Sequence, residues 1–224
     1  MIRLHRLAPL VLAACAMGCT GSLFQSKVPP PTIYLLGAGA TPAGSGEPPA
    51  APATAGVATR VPIPVDLAVL KPRVRPGLES DRIAALYPYR RLDYFADARW
   101  SGPLGEVLQD VAVRTFHNRA ALRNVSGEAS VFASAYWLEI EVMDFQAEYT
   151  AGTNVPPAHV QLLARLGTSG DRRILGQFTA NAQQPAAENR LTAIVGAYAA
   201  ATDTALATIV ADVGATLAQT LETR

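Results

Sequence analysis

Leu138-Glu139-Ile140-Glu141-Val142 alternates apolar and acidic residues without a break, and no other segment restricts the fold as much. Successive side chains of a strand point to opposite faces, so Leu138, Ile140 and Val142 share one face and Glu139 and Glu141 the other. One face needs a cover and the other stays in water, the usual condition of an antiparallel sheet. The chain supplies two covers. Leu104, Val107, Leu108, Val111, Ala112 and Phe116 recur at spacings of three and four, a helix stripe that opens after Ser101-Gly102-Pro103 and runs to about Asn118. A longer helix runs from about Arg190 to Glu222, striped by Leu191, Ile194, Val195, Tyr198, Leu206, Ile209, Val213 and Leu217. Unbroken, it would span roughly 50 Å. Gly196 and Gly214 weaken it.

Other strands surround these elements. Thr32 to Leu36 is rich in branched and aromatic residues. Val61 to Lys71 places Val65, Leu67 and Val69 on one face and Asp66 and Ala68 on the other, with Pro62 and Pro64 holding its start at an edge. Pro72 to Leu78 reads as a turn, Arg82 to Tyr87 and Arg91 to Ala96 as short strands. Val160 to Leu166 and Arg173 to Thr179 flank the hairpin chemistry of Gly167-Thr168-Ser169-Gly170-Asp171. Strands, helix, strands and a closing helix make an α/β chain of the α+β kind: a mainly antiparallel sheet with the helices packed on one side.

The N-terminus fixes compartment. Arg3, His5 and Arg6 form a basic tip, an apolar run follows from Leu7 to Ala14, and two cysteines stand behind small residues: Leu12-Ala13-Ala14-Cys15 and Ala16-Met17-Gly18-Cys19. That is the layout of a secretory signal ending in a cysteine that the bacterial lipoprotein pathway acylates. Cys19 is favoured and Cys15 is the alternative, since Cys15 leaves only 14 residues ahead of it against the usual ~15 to 30. The run falls short of the ~20 residues that cross a bilayer. The expected organisation is a signal peptide over 1–18, a tether over 19–31 ending in three stiff prolines, and a single periplasmic domain over 32–224. Within that domain, residues 37–59 form a flexible Ala/Pro-rich loop. Thr20 follows Cys19 and Ala16 follows Cys15, and neither is the aspartate that retains lipoproteins at the inner membrane, so outer-membrane sorting is expected.

Loss of the signal removes Arg3 and Arg6, which takes 19 basic residues to 17 against 18 acidic. A nucleic-acid binder would show a basic surplus. Gly37-Ala38-Gly39-Ala40-Thr41-Pro42-Ala43-Gly44 follows a strand, but Gly44, Gly46, Pro48 and Pro49 would break the helix a dinucleotide site needs. His117 lies near a helix end, where its placement against the dipole explains it. His159 lies in or beside a loop with no partner visible in the sequence. Asp81, Asp93 and Asp97 read as solvated carboxylates, and Trp100 and Trp137 as core residues. No catalytic, cofactor-binding or metal-binding residue is expected, and no cofactor; the chain does not read as an enzyme.

Several segments together carry a resemblance. Pro30-Pro31-Thr32-Ile33-Tyr34-Leu35-Leu36 follows the tether, and Leu78-Glu79-Ser80-Asp81-Arg82-Ile83 follows the second strand. Leu92-Asp93-Tyr94-Phe95-Ala96-Asp97-Ala98-Arg99-Trp100 then precedes Pro103-Leu104 at the helix start. With the strand ending at Asp144-Phe145 and the final helix, this resembles the ABC-type transport auxiliary lipoproteins, the partners of MCE-type lipid transporters. The resemblance implies a periplasmic domain held on the outer membrane by its lipid, working with a permease, an ATPase and an MCE-domain protein. Its role would be docking or completing a lipid path. A homo-oligomer stays open. The alternative is a structural lipoprotein that scaffolds or activates a cell-wall machine.

Overall fold

The computed structural model describes residues 30–37, 63–127 and 134–223. Cys15, Cys19, the signal, residues 20–29 of the tether and residues 38–59 of the loop lie outside them. The chain divides into two units, Met1–Pro31 and Thr32–Arg224, and the second carries the elements below.

The strands are β1 (Thr32–Tyr34), β2 (Ile63–Val69), β3 (Arg73–Val74), β4 (Arg82–Tyr87) and β5 (Arg91–Trp100), followed by helix α1 (Leu104–Arg119). After the helix come β6 (Leu122–Gly127), β7 (Tyr136–Glu148), β8 (Pro157–Thr168), β9 (Ile174–Pro185) and the closing helix α2 (Leu191–Glu222). Among the described residues they form one nine-stranded sheet.

The sheet is organised by β7. One edge takes β8 antiparallel from Tyr136↔Thr168 to Ala147↔Ala158, and β9 follows antiparallel on β8. The other edge is shared by three strands that all run parallel to β7. Leu67 to Val69 lies on Tyr136 to Leu138, Arg73 and Val74 on Glu141 and Val142, and Ala85 and Leu86 on Ala147 and Glu148. β6 pairs parallel with β2, β1 pairs parallel with β5, and β4 and β5 form an antiparallel hairpin. The sheet is therefore mixed, which corrects the expectation of a mainly antiparallel one. Alternation reports which face of a strand is buried and carries no information on the direction of its neighbours. Here residues 70–72 and 75–81 carry the chain forward along β7 instead of reversing it.

The alternation itself holds. Leu138, Ile140 and Val142 are buried, as are Val65, Leu67 and Val69 on β2. The register shifts between Val142 and Asp144, so the buried parity changes and Phe145 and Ala147 take over the core face. On β8 the same face carries Val160, Leu162, Ala164 and Leu166. α1 covers the β2 and β6 side, and α2 lies across β8 and β9. Small residues line that second contact: Ala164, Ala180 and Ala182 on the sheet, Ala197, Ala201 and Ala205 on the helix. They let the two backbones approach closely.

α2 is long and apolar enough to cross a membrane by length and composition. In the fold it is the core helix instead: Ile194, Val195, Tyr198, Leu206, Ile209, Val213 and Leu217 are all buried. Tyr198 anchors an aromatic cluster, edge-on to Trp100 at 5.4 Å and tilted to Phe145 at 5.0 Å. Its hydroxyl donates to the Ala84 carbonyl, the partner a buried phenol requires.

Candidate functional site

The face of the sheet opposite the helices is polar because Glu139 and Glu141 point there, and neighbouring strands answer with arginine. Glu139 is gripped by Arg73 at 2.7 Å and by Arg165 at 3.1 Å, and Arg165 also stands 3.6 Å from Glu141. Asp66 on β2 is paired with Arg123 on β6. The Arg123 hydrogen bonds hold the Asp66 carboxyl below the usual carboxylate range, and Asp66 raises the Arg123 guanidinium in turn. Water screens exposed pairs of this kind, so they fix side-chain positions more than they stabilise the fold.

Where the turn between β8 and β9 meets β2 and β7, this face holds a groove of about 580 Å³, lined by Ala68, Leu70, Ser134, Trp137, Glu139, Ser169 and Arg172. Trp137 is its floor. The indole lies flat on Gly167, its cross-strand neighbour, where a Cβ would stand 2.2 Å from Cζ2. Its Nε1 donates to the Thr168 carbonyl at 3.0 Å. The adjoining turn is tied by a hydrogen bond from the Thr168 hydroxyl to Asp171, which holds that carboxyl below its ordinary value. Arg172 stands beside it with a φ of 54°. The Ser126 and Ser134 hydroxyls are buried without a partner among the described residues. The groove combines an aromatic floor, one carboxylate, one guanidinium and hydroxyls, which suits binding.

The remaining polar residues are engaged separately. His159 lies within β8, where its Nδ1 is 2.7 Å from Glu148 and its Nε2 is 3.0 Å from Asn181. This corrects its expected place at a loop without a partner; the strand is longer than its apolar pattern. Gln146 donates to Asp144 and to Glu148. His117 is exposed in the last turn of α1. Asp81 pairs with Arg99 at 2.7 Å, Asp93 accepts the Tyr94 amide, and Asp97 sits at a φ of 53°. None of these contacts joins two of the three aspartates. No group of three histidine, cysteine, aspartate or glutamate residues that could hold a metal occurs among the described residues.

Trp100 is in the core at 1% exposure, as expected. Trp137 is not, and that expectation is corrected. Its position was readable: it precedes Leu138 by one residue and so shares the face of Glu139 and Glu141. The lipidation candidates Cys19 and Cys15 lie outside the described residues.

The family model described as ABC-type transport auxiliary lipoprotein component matches residues 47–211, a span from before β2 to well into α2. Among solved structures, a Xanthomonas campestris protein assigned to family DUF330 superposes with a TM-score of 0.68 at 25% identity, over 85% of this chain and 99% of that one. A structure described only as an uncharacterized protein shares the fold at a TM-score of 0.56 and 13% identity, over 68% of this chain and 96% of its own. No curated protein matches the chain.

Proposed function

The chain belongs to the family of ABC-type transport auxiliary lipoprotein components, and from that premise we propose that it is a non-catalytic auxiliary component of an MCE-type lipid transport system. It acts on the periplasmic face of the outer membrane, held there by an acylated Cys19, with Cys15 as the alternative site. Its partners are the MCE-domain protein, the permease and the ATPase of that system.

The observation that carries the reading is the family match over residues 47–211. The N-terminal layout supports the anchor. A single acyl chain binds a membrane only marginally, whereas several chains, at about 0.8 kcal/mol per buried methylene, hold a protein durably. The outer face of the sheet supports a docking role, because its charged side chains are bound to one another and present a set surface to a partner.

Capture of the affinity-tagged lipoprotein from detergent-solubilised membranes tests the proposal. Recovery of an MCE-domain protein with its permease and ATPase is the expected result. Recovery of cell-wall synthases in their place would overturn it.

A further inference from the structure

The turn between β4 and β5 has an unusual sequence for its backbone. Tyr87 pairs with Arg91 across the hairpin, which leaves Pro88, Tyr89 and Arg90 as the loop. Tyr89 and Arg90 both have left-handed backbones, with φ of 63° and 60°. Glycine or asparagine normally takes such positions, because a Cβ is crowded there. Here two bulky side chains take them, and Tyr89 is fully exposed at 103%. Strain kept at an exposed aromatic residue points to a use for that residue.

The surroundings hold the turn rigid. Tyr87 stacks on Tyr149 at 4.8 Å with the rings 2° from parallel, and the Arg91 guanidinium lies over Tyr87 at 4.8 Å. The Tyr149 amide donates to the Leu86 carbonyl at 2.8 Å, so the loop after β7 emerges beside the turn. On the hairpin itself Leu92 is 38% exposed. A cavity of about 140 Å³ behind the turn is lined in part by Leu86, Leu92 and Arg90. The nearby acids are engaged: Asp93 accepts the Tyr94 amide, and Glu148 contacts His159.

We propose that this turn, led by Tyr89 with Arg90 and Arg91, is a second membrane contact that rests on the anionic phospholipid headgroups of the leaflet to which the chain is anchored. The proposal rests on the lipid-anchor reading given above. Tyrosine suits the interface, with an apolar ring and a wet hydroxyl, and arginines beside an anionic surface add attraction.

Chain direction argues for the bilayer as the occupant. β1 runs parallel to β5, so Thr32 is the end of β1 nearer this turn. Ile33 pairs with Arg99, and Arg99 pairs with Arg82. From Arg82 to Tyr87 is five strand residues, about 17 Å. The 12 residues of 20–31 reach up to about 40 Å when extended. An anchor at Cys19 therefore leaves the turn free to meet the same membrane.

The test uses the lipoprotein purified from membranes, carrying Tyr89→Trp, on vesicles of phosphatidylglycerol and phosphatidylethanolamine with brominated acyl chains. Trp100 and Trp137 supply the background, measured on the parent protein. The expected result is bromine quenching of the new indole, with at least about a tenfold weaker vesicle affinity of the unacylated form when Arg90→Glu and Arg91→Glu are added. A new indole that is unquenched and emits as in water would overturn the proposal. So would shielding that appears only when a partner protein is present. Intact mass of the same sample separates the two readings. A protein without acyl chains sinks the anchor, and quenching of the introduced indole by excess vesicles then decides the turn alone.

Discussion

Replacing Gly167 by alanine should unfasten the floor of the groove. The added methyl would stand 2.2 Å from Cζ2 and 2.5 Å from Cε2 of Trp137, and 3.0 Å from the Arg173 carbonyl oxygen. Carbon atoms pack at about 3.5–4.0 Å, so the ring must retreat by about 1.3 Å or more. That movement draws Nε1 away from the Thr168 carbonyl, now 3.0 Å distant, at a cost of about 0.5–1.5 kcal/mol. Overpacking adds about 1–3 kcal/mol. Trp137 is only part-buried and can lift toward the groove, which places the sum near the low end, about 2 kcal/mol. In urea this lowers the unfolding midpoint by about 1 M. The same substitution at Gly196 or Gly214 of α2 meets nothing within 4 Å and should stabilise by about 0.5–1 kcal/mol through helix propensity alone. Urea melts followed by circular dichroism compare the three variants, with Trp fluorescence reporting the displaced indole. A Gly167→Ala protein as stable as the parent, with unchanged emission, would refute the packing argument.

Phe116 is fully buried in the last turns of α1, so Phe116→Ala should cost about 3–5 kcal/mol; an unchanged urea midpoint would contradict that burial. Burial pushes the Tyr198 phenol well above its usual value of about 10. Above that pH the unfolded chain loses the proton and the folded one keeps it, so stability should fall as pH rises from about 9 to 11. In Tyr198→Phe the slope of the urea midpoint against pH should be shallower by about one proton; an identical slope would refute the assignment. At neutral pH the same variant leaves the Ala84 carbonyl without its donor and should be about 1–3 kcal/mol less stable.

The buried faces of β2, of β7 as far as Val142 and of both helices were legible because each is a regular apolar period. What the period does not encode was lost. β6 carries no strand signal of its own, because Arg123, Asn124 and Ser126 gain strand character only by lying beside Asp66 and Ala68 of β2. β3 is two residues long, and β9 continues to Pro185 through a run of Ala, Asn and Gln. Its Ala180 and Ala182 count as core only because α2 comes close. Strand direction was invisible because it depends on how turns such as residues 75–81 lead the chain. The groove was half legible. The parity of Trp137 with Glu139 marks the outer face, whereas its contact with Gly167 needs the register between β7 and β8, which sequence spacing does not supply. The connection between strands ending at Tyr87 and starting at Arg91 was legible, but its left-handed backbone was not, because Pro88-Tyr89-Arg90 contains none of the usual left-handed residues.

The central claim, a shared pathway with an MCE-type transporter, is tested most directly by epistasis. Outer-membrane permeability to detergent is measured in cells lacking this chain, in cells lacking the transporter's ATPase, and in cells lacking both. Equal defects are expected in all three, restored by the parent chain and not by Cys19→Ala combined with Cys15→Ala. A double deletion clearly worse than either single one, or no defect in cells lacking this chain, would contradict it.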